Sequence, residues 1–145
     1  MIDTLAGYQS PSLITDPVTR DSLNAFIAQT LHACSTPGSN AASYFTDPDI
    51  VIAGSGLDEF FVGPEAAQDG ISWVATLGIR WEPKIIVSWM RGDLAWAQIR
   101  IEGHTQENGA PAVVPYVATG VFQSNRDGWA WLYWGGSEPQ KAPRL

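Results

Sequence analysis

The chain is poor in the residues that most often announce a chemistry. One cysteine, Cys34, in 145 residues excludes an internal disulfide framework. Cys34 falls on the apolar stripe of an expected helix, which suits a buried structural thiol better than a nucleophile needing access and an activating base. Eight Lys and Arg against fifteen Asp and Glu leave a formal charge of −7, and the basic residues are thinly spread. Phosphate backbones are held by clustered Lys and Arg, so nucleic acid is not expected as a partner, although seven tryptophans could stack on bases. No apolar run approaches the roughly 20 residues that span a bilayer, and no basic amphipathic segment points to a membrane surface. The first residues lack the positive and continuous apolar stretches of a signal peptide, and a cytoplasmic protein is expected. His32 and His104 stand alone with no acid at ligand spacing, and P-loop, GxGxxG and nucleophile-elbow patterns are missing. Neither a metal nor a cofactor is expected.

What is present is an ordinary core. Apolar residues make up 45% of the chain, enough for one domain over 1–145, with 1–14 as an N-terminal arm lying against the body. Asp16 is placed to cap a helix with Pro17 at its first position, and Leu23, Phe26, Ile27, Leu31 and Cys34 follow on one face. A short helix is expected over Ala41–Phe45 and a strand over Ile50–Gly54. A turn then leads into a strand over Glu59–Val62. Gly63-Pro64-Glu65 opens a second helix bearing Ala66, Ala67, Ile71, Val74 and Leu77, which Gly78 stops. Strands follow over Trp81–Met90, Leu94–His104, Val113–Ser124 and Trp129–Trp134, with Thr105–Ala112 as a polar loop. Asp127-Gly128 between aromatic-rich runs is a strong hairpin signal. Helices first and strands last indicate α+β.

Five pieces in order then resemble a known family. They are Tyr44-Phe45-x-Asp47-x-Asp49, Asp58-Glu59-x-x-x-Gly63 before a helix, Gly92-Asp93-Leu94-Ala95-Trp96, Thr119-Gly120-Val121-Phe122, and Asp127-Gly128-Trp129 followed by Ser137-x-Pro139. Together, over residues 20–140, they resemble the SnoaL-like branch of the NTF2-like superfamily. The resemblance implies a cystatin-like cone, in which N-terminal helices pack inside a highly curved antiparallel sheet around a pocket. It also implies a homodimer through the outer sheet face. The family includes isomerases, dehydratases and cyclases alongside binding modules, so fold does not settle function. Relatives that isomerise ketosteroids carry a carboxylate base on the first strand, and Ile50 to Ser55 has none. Many relatives end the last strand with histidine and place an arginine on the preceding strand. This chain has Leu132-Tyr133-Trp134-Gly135-Gly136 in the first place and no arginine around Tyr116–Ala118 in the second.

Glu59, beside Phe60 and Phe61, is the carboxylate best placed to act as an acid or base. A solvated turn residue is the competing reading. His32 borders the buried stripe of the first helix, and His104 is expected at the solvated end of a strand. Trp73, Tyr116, Trp134 and Tyr44 are expected to line an apolar pocket. Arg100 is placed either there, clamping an anion, or outward in an ion-pair ladder. Trp96, Trp129 and Trp131 are expected on one sheet face, partly covered by a second subunit. Three functions stay open. The protein binds a small apolar or cyclic ligand; or it is an isomerase, dehydratase or cyclase using Glu59 or His32 for proton transfer, with Tyr116 or Tyr44 as oxyanion donor; or it is a dimerising structural domain without ligand.

Overall fold

The computed structural model describes residues 6–140. Residues 1–5 of the expected arm lie outside the described residues. Helix α1 spans Pro17–Cys34 and α2 spans Pro64–Ala75. Both start as their sequences dictate. Asp16 accepts from the Thr19 amide at 2.9 Å and the Thr19 hydroxyl at 2.7 Å, satisfying a donor that the first turn leaves free. Gly63 precedes Pro64 with a φ of 89°, a conformation that disfavours other residues. Leu23, Ile27, Leu31 and Cys34 of α1 and Ala67, Ile71 and Ala75 of α2 are buried, whereas Leu77 is exposed beyond the helix end.

The strands are β1 (Val51–Ala53), β2 (Phe60–Val62), β3 (Arg80–Arg91), β4 (Leu94–Glu107), β5 (Ala110–Asn125) and β6 (Gly128–Ser137). They form one open sheet in the order β2-β1-β6-β5-β4-β3. The chain is therefore α+β as expected, but the sheet is mixed rather than wholly antiparallel. β1 runs parallel to β6, with Ile52 opposite Trp134. No hairpin joins those two strands, so no turn forces them to alternate in direction. The expected loop over Thr105–Ala112 is also corrected: β4 and β5 pair up to Glu107 and Ala110 around Asn108-Gly109 alone. Both turn residues take positive φ (52° and 79°), the tight geometry that suits the twist of a hairpin.

Ala95, Ala97, Ile99 and Ile101 of β4 and Ala118 and Phe122 of β5 face the helices and are buried with them. Trp131 is the centre of this core. Its ring lies 4.4 Å from Phe122 and 5.7 Å from Phe45 by centroids, and its Nε1 donates to Thr30 Oγ1 at 3.0 Å. An aromatic so enclosed is worth about 3–5 kcal/mol against Ala.

The tryptophans do not share one face. Trp129 and Trp131 pack inward, and Trp96 lies on the outer face, stacked on Trp89 at 6.3 Å. Alternation puts Trp129 and Trp131 on the same face of β6 but says nothing about which face each strand presents. Residues of the arm cover part of this outer pair: Leu13 bridges to Trp89, the Met90 amide donates to Ser12 O at 2.8 Å, and Trp89 Nε1 donates to Tyr8 Oη at 3.2 Å.

Candidate functional site

A cavity of about 200 Å³ lies between the C-terminal half of α1, helix α2 and residues of β1, β2, β3, β5 and β6. Three local devices bring aromatics to its wall. The pairing of β5 with β6 skips Leu132: Phe122 faces Trp131, and Val121 faces Tyr133. One extra residue in β6 reverses its alternation, so Trp134 points inward three positions after the inward Trp131. Next, the Tyr116 hydroxyl occupies the place that a Cβ on Gly136 would take. Finally, the six-membered ring of Trp81 lies over Gly103, where a Cβ would sit 2.8 Å from Cζ3. Ser35 Oγ, at the end of α1, fixes that part of β3 by accepting from the Trp81 amide at 2.8 Å.

The three rings form a connected group. Tyr116 lies 5.5 Å from Trp81 and 6.3 Å from Trp134 by centroids. Trp134 Nε1 donates to Tyr116 Oη at 3.2 Å. Burial, chiefly, holds the Tyr116 phenol above its ordinary pKa; the Trp134 bond opposes this, and the Glu59 and Glu138 charges reinforce it. Tyr116 is thus a neutral phenol at physiological pH. Trp81 Nε1 is buried with no hydrogen-bond partner among the described residues. Cys34 is part of the apolar wall, its thiol pushed up to about 12 by burial, which removes it as a nucleophile at neutral pH.

Glu59 stands at the cavity edge, folded against the β1–β2 turn. A Cβ on Gly56 would sit 2.9 Å from its Cδ, and one on Gly54 would meet its carboxylate, so both glycines give the side chain room. Glu59 and Glu138 are the charged residues lining the cavity, and no Lys, Arg or His lines it among the described residues.

Of the expected site residues, Glu59, Trp73, Tyr116 and Trp134 come together here, Trp73 at the mouth with 54% of its surface exposed. His32 and Tyr44 are elsewhere. They line a shallow open depression between α1 and the 3-10 turn Ala41–Tyr44, and His32 is exposed. Arg100 is exposed on the outer sheet face, since its β4 neighbours Ile99 and Ile101 face the core. The sequence reading missed Trp81, whose role depends on its cross-strand partner Gly103. It also missed the surroundings of His104. The register sets Glu82 against Glu102, and His104 Nε2 lies 3.0 Å from Glu82 and 3.5 Å from Glu102. Arg80 and Lys84 each reach Glu82 at 3.0 Å, making this an outer-face ion-pair ladder.

A family model for the SnoaL-like domain matches residues 23–141. The chain belongs to the SnoaL-like family. No curated protein matches it. Solved structures do, at low identity. A provisionally assigned dehydratase of the NTF2-like family from Streptomyces avermitilis is 14% identical, with a TM-score of 0.70 over 88% of this chain and 100% of that one. An NTF2-like protein with a cystatin-like fold from Novosphingobium aromaticivorans is 14% identical, with a TM-score of 0.69 over 86% and 84%. The CaMKII hub homology domain of Chlamydomonas reinhardtii is 17% identical, with a TM-score of 0.68 over 83% and 98%. These likenesses establish the NTF2-like, cystatin-like fold for this SnoaL-like chain, and fold alone.

Proposed function

We propose that this SnoaL-like protein binds a small, flat, largely apolar ring compound in the cavity walled by Trp81, Tyr116 and Trp134. The observation that carries the reading is the make-up of that wall: aromatic and aliphatic surface with few polar groups, the usual character of a small-molecule site. Tetralin, a neutral bicyclic hydrocarbon, tests it by titration against intrinsic tryptophan fluorescence. Binding by the natural chain, lost on filling the cavity with Val74→Trp, is the expected result. A flat titration, with no tetralin adduct in native mass spectrometry, would sink the proposal.

A second reading is supported by Glu59 and Tyr116 lining the same cavity. In an isomerase, dehydratase or cyclase, Glu59 takes a proton from carbon next to a carbonyl, and Tyr116 donates a hydrogen bond to the enolate oxygen. His32 lies outside the cavity, so the proton transfer falls to Glu59. Solvent deuterium entering 2-tetralone at its α positions, followed by NMR, should be faster with the natural chain than with Glu59→Gln. Equal rates would remove the enzymatic role.

We further take 1–145 as one cytoplasmic domain that pairs through its outer sheet face. Leu94 and Val113 are exposed at 41% and 54%, and neither helix covers the outer face. With most tryptophans turned inward, the support for pairing comes from this face as a whole rather than from a tryptophan excess. A concentration-independent monomer in sedimentation equilibrium would contradict it.

A further inference from the structure

We propose that the cavity selects an organic ammonium ion, an apolar ring bearing a protonated amine, with Glu59 and Glu138 receiving the charge at the cavity edge. The proposal rests on the binding reading above and specifies its ligand class.

Topology brings the two acids to one place. β1 runs parallel to β6, with Ala53 opposite Gly135, so the two strands run toward the same end of the sheet. The turn after β1 delivers Glu59, the segment after β6 delivers Glu138, and both line the cavity. The backbone of Glu59 is committed to that turn. Its amide donates to Gly56 O at 3.1 Å, and its carbonyl accepts from the Gly54 amide at 2.7 Å. The side chain is left to act, half-buried against Gly54 and Gly56.

These acids lack a counter-charge. On the outer face Glu82 meets Arg80 and Lys84 at 3.0 Å each. Neither Glu59 nor Glu138 takes part in a salt bridge among the described residues. Both charges reach the wall, where, after burial itself, they help to raise the pKa of the Tyr116 phenol. A half-buried carboxylate beside carbon surface is unfavourable without a cation, and a bound cation relieves it. Low-dielectric walls also focus the field of such a charge into the cleft.

The rest of the wall says which cation. A metal ion asks for several oxygen, nitrogen or sulfur ligands, and two carboxylates beside aromatic and aliphatic carbon do not supply them. An ammonium group carries donors only, which match carboxylates that only accept. Trp73, Trp81, Tyr116 and Trp134 line the same cavity, and aromatic rings both attract an ammonium and pack against an apolar ring. An anion would meet two like charges and no cation to receive it.

The probes are 1-aminotetralin, tetralin and 1,2,3,4-tetrahydro-1-naphthoate, compared by isothermal titration calorimetry at neutral pH. One charge-assisted bond to Glu59 predicts 1-aminotetralin binding about ten- to a hundredfold tighter than tetralin, with the naphthoate weakest. Glu59→Gln should cut the amine-to-tetralin ratio about tenfold, and Glu138→Gln, at an exposed position, about two- to threefold. Glu107→Gln makes the same charge change at the β4–β5 turn and should leave the ratio as it is. In the natural chain, 13C-carboxyl NMR of Glu59 gives a check that does not depend on a variant's folding. That resonance should move with 1-aminotetralin and not with tetralin. Equal affinity for amine and hydrocarbon overturns this proposal while leaving the binding reading intact. So does a ratio that Glu107→Gln lowers as much as Glu59→Gln, or a Glu59 resonance that moves alike with both probes. Failure of all three probes to bind overturns both.

Discussion

Gly136→Ala is the sharpest test of how the site is built. The Tyr116 hydroxyl occupies the position of the absent Cβ, so a methyl group there must push the phenol aside. The displaced Tyr116 gives up the 3.2 Å bond from Trp134 Nε1. Losing a partner for a buried donor costs about 1–3 kcal/mol, and replacing glycine returns about 0.4–1 kcal/mol by stiffening the unfolded chain. The net expectation is about 1–2 kcal/mol of destabilisation. In urea, followed by tryptophan fluorescence, that is a midpoint lowered by roughly 0.5–1 M for ordinary slopes. Repeating the substitution in a Tyr116→Ala background removes the collision, and the cost there should vanish or reverse. A double-mutant cycle isolates the coupling between the two positions. Gly136→Ala at natural stability, or an equal cost in both backgrounds, would refute the account of why this strand end carries glycine.

Thr30→Val keeps the shape and β-branching of the side chain but strips Trp131 Nε1 of its 3.0 Å partner in the core, and should lower stability by about 1–3 kcal/mol, with Thr30→Ser largely rescuing it in thermal unfolding. Glu82 is held down from 4.5 to about 2, first by its hydrogen bonds to Lys84 and Arg80. A depressed carboxyl contributes stability that is fully present above 4.5 and lost as pH falls toward about 2, so Glu82→Gln should flatten the stability profile in that window alone, measured by urea midpoints between pH 2 and 6. Cys34, pushed up to about 12, should stay unreactive toward a disulfide reagent at pH 8 in the folded protein and titrate fully once unfolded; fast labelling of the native state would contradict its burial.

What could be read from the sequence was local. Asp16-Pro17 and Gly63-Pro64 mark helix starts because the capping chemistry sits within one turn of chain. The paired hydrophobic runs give four long strands for the same reason. What could not be read depends on pairing between distant residues. The parallel join of β1 to β6, the slip that leaves Leu132 unpaired, and the seat of Trp81 over Gly103 follow from register, which no nearby residue declares. The site shares this division. Glu59, Tyr116 and Trp134 were legible as a carboxylate and aromatics on the right elements, while Trp81 was not. Arg100 shows the converse, since alternation gave its strand face without saying which face is inside.

The parallel seam between β1 and β6 also bears on the order in which the chain folds. Strands β3 to β6 are joined by tight turns, so their contacts form at little cost in loop entropy. Ile52 must instead find Trp134 across most of the chain, and contacts of that span are the slow ones. By loop entropy alone, the pairing of β1 with β6 that completes the wall carrying Trp134 is expected to form last. A ligand seated there would act as a latch on a late step, slowing unfolding far more than it speeds refolding.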